Sequence, residues 1–229
     1  MPAKICVSIA ESNVSLIKKQ AEKAFELEAD YVEIRFDYVK IDELPMAINS
    51  VKDIKDKAIF TLRSKAEGGK FDGTEEQRLF WLRRLAQQRP LLVDIELETI
   101  KENDDLADFI EQQKSPVLIS WHDFVLTPEN DKLSDMLSEM RVYSNFVKIV
   151  TTAKNVEDSL RLLDMYENTI GLHPILFAMG DAGVISRIMC TLVGNAPFTY
   201  ASLEKAVAPG QLTVTQMRTL YNKMDKHTQ

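Results

Sequence analysis

Two residues in this sequence could do chemistry together. Lys148 lies inside the apolar run Phe146-Val147-Lys148-Ile149-Val150, and His122 ends the run Ser120-Trp121-His122. A lysine in apolar surroundings loses stabilisation of its charge, so a neutral amine becomes available. A neutral amine attacks a ketone and forms an imine. The protonated imine withdraws electrons and acidifies the neighbouring carbon. A histidine that titrates near neutral pH can remove that proton, and it can protonate a hydroxyl leaving one carbon further on. The net reaction is β-elimination of water. A carboxylate beside the histidine would hold its ring in orientation, as in other histidine–acid pairs.

More charges sit in neighbouring runs. Glu33 and Arg35 lie in Asp30–Asp37, Arg63 in Ala58–Ser64, and Asp94 and Glu96 in Leu91–Glu96. Side chains alternate faces along a strand, so Glu33 shares a face with Arg35, Asp94 with Glu96, and Ser120 with His122. Isolated buried charges cost several kcal/mol each, about the scale set by desolvation. A ligand site at the strand ends gives a reason for that expense. Each residue also has a plainer reading. A lone strand lysine often reaches back to water, although the flanks of Lys148 argue against it. His122 reads alternatively as a hydrogen-bonded core histidine. Asp94 and Glu96 read equally as structural ion-pair partners of Arg63 or Lys148.

The elements that must hold these residues follow from periodicity. Eight short β-branched runs begin at Lys4, Asp30, Ala58, Leu91, Pro116, Asn145, Pro174 and Pro197. Helix-like stretches separate them, and two open on Asn13 and Asn155, good N-caps. Thr213 and Gln216 have the spacing of a capping box that opens a final helix. Alternating strands and helices imply parallel pairing with right-handed crossovers. Eight such units in 229 residues predict a single (β/α)₈ TIM barrel, one α/β domain spanning 1–229. The glycine-rich turn of a dinucleotide-binding sheet is missing after the first strand. In a barrel, the glycine-rich loop after the third strand and the Pro209-Gly210 turn both fall on the C-terminal face, where such enzymes keep their sites.

Composition narrows the function classes. The formal net charge is −7, which gives no electrostatic reason for nucleic-acid binding. Cys6 and Cys190 each lie in an apolar stretch and read as reduced core thiols, which fits a cytoplasmic protein. The N-terminal apolar run is too short for a signal peptide, and no apolar run of about 18 residues spans a membrane. One well-placed histidine and no CxxC or HExxH argue against zinc, and a Walker loop is absent. His173 precedes a strand and belongs at the N-terminal face, and His227 lies in the tail. The stretch Gly180–Arg187 suits a phosphate at a helix start, or a carboxylate held by Arg187.

The stretches EIRFD, LRSKAEGG, SWHDF, FVKIV, GVISR and APGQ occur in this order along the chain. With these motifs the sequence resembles type I 3-dehydroquinate dehydratase over essentially its whole length. The resemblance implies an eight-stranded α/β barrel, typically a homodimer. It implies conversion of 3-dehydroquinate to 3-dehydroshikimate in the shikimate pathway by syn elimination, without metal or cofactor. It matches Lys148 to the Schiff-base lysine and His122 to the general acid/base. It matches Glu67 to the carboxylate that partners this histidine, a role the residue pattern alone does not give. Glu33, Arg35 and Arg63 match substrate contacts, Arg187 a carboxylate clamp, Gln211 a lid contact, and Ser8 a further polar contact.

Two positions depart from the pattern. Family members often carry serine where this chain has Val207, so a side-chain lid contact is lost there or made by backbone. Some carry lysine at Asp181, whose negative charge would weaken anion binding or pin Arg187. Two rival functions share parts of this reading. One is a Schiff-base aldolase on the same barrel. The other is a non-catalytic domain that senses a shikimate-pathway acid.

Overall fold

The eight apolar runs form eight strands in the computed structural model, which describes residues 3–204 and 208–225. They are β1 (Ile5–Ile9), β2 (Tyr31–Arg35), β3 (Ala58–Thr61), β4 (Leu92–Glu96), β5 (Val117–His122), β6 (Phe146–Thr152), β7 (His173–Met179) and β8 (Thr199–Ala201). Every pairing is parallel, and the sheet order is β7-β6-β5-β4-β3-β2-β1-β8. Pairing of β8 with β1 curls the sheet into a (β/α)₈ barrel. No ladder joins β7 to β8 among the described residues, so the barrel has a seam there. Ring contact between Phe177 and Tyr200, 6.1 Å between centroids, bridges it.

Helices cover the outer face. They include α1 (Val14–Glu26), α2 (Leu44–Ser50), α3 (Glu75–Gln87), α4 (Leu97–Lys101), α5 (Asp104–Gln113), α6 (Asn130–Met140), α7 (Val156–Asp164), α8 (Val184–Met189) and α9 (Val214–Asp225). Asn13 caps α1 by accepting from Ser15 N–H, and Asn155 caps α7 by accepting from Asp158 N–H. α1 buries Val14, Ile17, Ala21 and Ala24, a stripe at helical spacing. The capping box at α9 is present: Thr213 N–H donates to Gln216 Oε1 and Gln216 N–H to Thr213 Oγ1. Outward strand residues such as Val147 and Ile149 are fully buried under these helices. Cys6 and Cys190 are buried and free, as their apolar settings predict.

One strand differs from expectation. β3 stops at Thr61, so Arg63 lies just past the strand end. There the chain turns through a 3₁₀ segment, Lys65–Glu67, capped by the Ser64 hydroxyl. Gly68 then takes φ +74°, a left-handed conformation that suits glycine. Gly69 must be glycine, because a Cβ there would lie 2.1 Å from the Arg63 carbonyl oxygen.

Candidate active site

The barrel interior changes character from bottom to top, because each strand sends alternate side chains inward. Near the N-terminal ends it is aromatic and apolar, with Tyr31, Leu92, Phe146 and Phe198 around one opening. At the C-terminal ends it becomes charged. All nine predicted site residues line one cavity there. They are Ser8, Glu33 and Arg35; Arg63, Glu67 and His122; and Lys148, Arg187 and Gln211.

Lys148 comes from the middle of β6 and is 3% exposed. Its Nζ donates to Asp94 Oδ2 at 2.5 Å and lies 3.6 Å from Glu33 Oε1. It also lies 3.5 Å from the Tyr200 hydroxyl, with the Tyr200 ring centroid at 5.0 Å. The lysine is therefore not the isolated amine that an apolar strand suggests. Asp94 itself is held by three donors: Lys148, Arg63 Nη2 at 2.8 Å and Ser120 Oγ at 2.6 Å. Burial pushes the Asp94 carboxyl up, but Arg63 and Lys148 outweigh it and hold the group well below the usual carboxylate range. Glu33 accepts from Ser8 Oγ and Thr61 Oγ1, and burial again loses to Lys148 and Arg35, so its pKa is lowered.

His122 and Glu67 form the second group. His122 Nδ1 lies 2.8 Å from Glu67 Oε2. Burial first, and then the positive charges of Arg63 and Lys148, depress the imidazole well below its ordinary value. The imidazole is therefore neutral at pH 7, a correction to the near-neutral titration expected from sequence. Burial raises Glu67 to about 8, and Arg63 at 3.6 Å offsets this only partly. The pair is thus net neutral at pH 7. Phe124 stacks on the His122 ring at 6.2 Å, and its ring also packs on Gly68.

Arg187 supplies the cation on the seam side. It is 2% exposed, and its Nε and Nη2 have no hydrogen-bond partner among the described residues. Its guanidinium sits over the Phe177 ring at 4.3 Å, and burial lowers its pKa to about 10. An unpaired buried guanidinium in a cavity wall is a ready partner for a carboxylate. Asp181 does not pin it, contrary to one expectation above: Asp181 is exposed, and among the described residues nothing bonds to the Arg187 Nε or Nη2. Val207 and His227 lie outside the described residues. Gln211 and Ala208 line the cavity from the loop before α9.

Neither Asp94 nor Glu96 is in the cavity lining. Glu96 is buried and meets Arg78 of α3 at 2.8 Å, the Ser64 backbone, and Arg63 Nη1 at 3.6 Å. Sequence reasoning left Asp94 open, and the structure makes it the partner of both Lys148 and Arg63. It missed Tyr200 altogether, because an aromatic in a short strand reads as core. His173 begins β7 at the opposite end of the barrel and stacks on Phe146, as its position predicts. No group of three or more His, Cys, Asp or Glu among the described residues is placed to hold a metal. No helix among them is long and apolar enough to cross a membrane.

A family model described as type I 3-dehydroquinase matches residues 5–228. The chain belongs to the type I 3-dehydroquinase family. It is thereby placed among the hydro-lyases. The 3-dehydroquinate dehydratase of Thermococcus gammatolerans is 37% identical over 209 residues, covering 91% of this chain and 94% of that one. That of Desulfotalea psychrophila is 30% identical over 223 residues, covering 95% and 96%. Among solved structures, the 3-dehydroquinate dehydratase from Aquifex aeolicus VF5 superposes with a TM-score of 0.80 at 31% identity, covering 96% of this chain and 98% of that chain. The barrel itself is also shared with the Geobacillus kaustophilus enzyme, at a TM-score of 0.89 and 24% identity, covering 100% and 93%.

Proposed function

We propose that this chain is a 3-dehydroquinate dehydratase that removes water from 3-dehydroquinate through an imine on Lys148, giving 3-dehydroshikimate in the shikimate pathway of aromatic amino-acid biosynthesis. One observation carries the reading. Lys148 of β6, His122 of β5 and Glu67 of the loop after β3 line one cavity, with the Arg187 guanidinium in its wall.

The chemistry balances without any cofactor. The Lys148 amine adds to the substrate ketone, and loss of one water gives the imine. The carbon beside the imine then gives its proton to His122 Nε2. A protonated Glu67 still has a carbonyl oxygen to accept the Nδ1 hydrogen, which leaves Nε2 free as the base. The imidazolium returns its proton to the departing hydroxyl on the same face, which accounts for syn elimination. Hydrolysis of the imine takes back one water and frees Lys148, so the net change is loss of one water. Asp94 and Glu33 beside Nζ stabilise the positive charge of the iminium. Arg187 pairs with the substrate carboxylate. Ser8, Glu33, Arg35, Arg63 and Gln211 contact the remaining polar groups of the substrate.

Borohydride reduction in the presence of 3-dehydroquinate tests the reading. Mass mapping should place the reduced ligand on Lys148, and an adduct on any other residue, or none, overturns the mechanism. Trapping by sugar phosphates instead would make the protein a Schiff-base aldolase. A chain that binds shikimate-pathway acids but produces no absorbing enone would be a sensor. The same proposal includes a homodimer and a cytoplasmic location. Sedimentation velocity measures the first, and cell fractionation the second.

A further inference from the structure

We propose that Asp37 is a positioning residue that sets Arg35 and the loop carrying Glu67 together, through one buried carboxylate. The inference rests on the dehydration reading, because it assigns Arg35 to substrate binding and Glu67 to proton transfer.

Asp37 follows β2 by two residues, and its side chain is wholly buried. Both of its oxygens face Arg35. Arg35 Nε donates to Oδ1 at 2.8 Å and Nη2 donates to Oδ2 at 2.8 Å. This two-point fork fixes the guanidinium plane, which also sits over the Tyr38 ring at 5.2 Å. Nη1 is left with no protein hydrogen bond among the described residues, at the rim of the cavity. A carboxylate this deeply buried is tolerable only when a cation neutralises it, so the two groups are held as a unit.

Asp37 Oδ2 has a further donor. It accepts the backbone N–H of Lys70 at 3.0 Å. Lys70 lies at the far end of the loop that begins at Ser64 and carries Glu67. The near end is held in the same way from the other side, because Ser64 N–H donates to Glu96 Oε1 at 2.8 Å. Glu96 is neutralised in turn by Arg78. Buried carboxylates beside β2 and at the end of β4 thus pin the two ends of one loop. Little slack remains between the pins. Gly68 is already left-handed, and Gly69 is pressed against the Arg63 carbonyl. Movement of the Lys70 end is therefore transmitted to Glu67, whose carboxyl group orients the His122 ring.

Glu96 and Asp37 differ in what else they touch. Glu96 ties the loop to α3 through Arg78 and lies 3.6 Å from Arg63 Nη1, with no two-point fork to that arginine. Asp37 ties it to a residue that faces substrate. An arginine that shifts to meet its ligand pulls on the same oxygen that holds the Glu67 loop. This makes Asp37 a link between binding and proton transfer.

A double-mutant cycle with Arg35→Ala tests this in the full-length protein. Asp37→Asn should raise KM for 3-dehydroquinate about tenfold and lower kcat about tenfold, each roughly the loss of one charge-assisted contact. In the Arg35→Ala background the KM effect of Asp37→Asn should vanish while the kcat effect persists. Active sites are counted by borohydride trapping, so a simple loss of folded enzyme is separated from slower turnover. Wild-type constants in Asp37→Asn, or KM effects that multiply in the double variant, overturn the inference. An NMR arm needs no substrate. Asp37→Asn should change the His122 ring nitrogen shifts and speed Lys70 amide exchange, and an unchanged His122 ring overturns the link. If Asp37→Asn does not fold, Arg35→Ala reads the link from the other end, and an unmoved Lys70 amide signal overturns it. A wild-type chain inert toward 3-dehydroquinate would sink the dehydratase reading, while the NMR arm would still decide the role of Asp37.

Discussion

The two ends of this barrel are built from the same strands and obey opposite rules. At the N-terminal end, inward side chains are aromatic and apolar. Tyr31 and Phe198 meet edge-on at 5.4 Å, and Phe198 meets Tyr200 at 5.7 Å. This end gains stability from area removed from water and from ring contacts. At the C-terminal end, Glu33, Arg63, Asp94 and Lys148 are each at most 4% exposed. Replacing such buried ion pairs by apolar residues is often neutral or stabilising. The C-terminal end is therefore held in a costly arrangement by the N-terminal end and by the helices around it. Changes at the mouth should fall mainly on activity, and changes at the floor mainly on stability.

The strongest way to break this contrast is Lys148→Met. Turnover of 3-dehydroquinate and borohydride trapping should both be lost, a fall of about 10⁴-fold or more in rate when the covalent nucleophile is removed. The protein should still fold, with Asp94 retained by Arg63 and Ser120. Residual turnover above about 1% of wild type, measured by enone absorbance, would take the lysine out of the chemistry.

His122→Ala should come next. It should form the trapped imine but dehydrate about 10²–10⁴-fold more slowly, the range for loss of a general acid/base. Loss of trapping as well would move the histidine to an earlier step.

At the floor, Phe198→Ala should reverse the pattern. Phe198 is 2% exposed and touches two rings, so the substitution should cost about 3–5 kcal/mol. Thermal melting should drop accordingly, by roughly 2–4 °C per kcal/mol for a chain of this size. The kcat per folded active site should fall far less than in the mouth variants, since Phe198 reaches Lys148 only through Tyr200. A large fall in kcat with an unchanged melting point would show that floor and mouth are not separable.

The smallest expected effect sharpens the contrast within the mouth. Burial raises Glu67 to about 8 in the folded chain, against 4.5 for an unperturbed carboxyl. Between these values the folded state binds more protons than the unfolded state, so this group's contribution to stability is present at low pH and falls as pH rises toward 8. Glu67→Gln removes that loss. Its stability relative to wild type should therefore be more favourable at pH 8 than at pH 5, by at most about 3 kcal/mol, since the shift from 4.5 to about 8 carries about 1.4 kcal/mol per unit. His122 works in the opposite direction, since its depressed pKa costs stability as pH falls below 6.5. Melting curves across this range separate the two, and a difference that is flat with pH would mean Glu67 is ionised throughout.

Much of the site was legible because charges in apolar strands violate the pattern of a parallel sheet. Lys148 and His122 stand out in this way, as do Glu33 and Asp94. Glu67 does not. It lies on a loop rich in charged residues and glycine, where another carboxylate breaks no rule, and only the family motifs single it out. Asp37 and Arg78 are hidden for a related reason. One follows a strand and the other lies on an amphipathic helix, so each reads as solvated until its partner is known. Their partners Lys70 and Glu96 lie 33 and 18 residues away.

By itself the sequence determined the strands, the helices, their alternation and the kinds of chemical group that face inward. These are local properties, set by side-chain periodicity, caps and turns. Tertiary structure decided which group meets which. Alternation fixes the face of a residue but not its height in the barrel. Lys148 lies in register with Ser120, yet its amine reaches across β5 to Asp94. That stagger gives the amine its carboxylates. The state of His122 was decided in the same way. Its residue type suggests titration near neutrality, but burial beside Arg63 and Lys148 holds its pKa well below that.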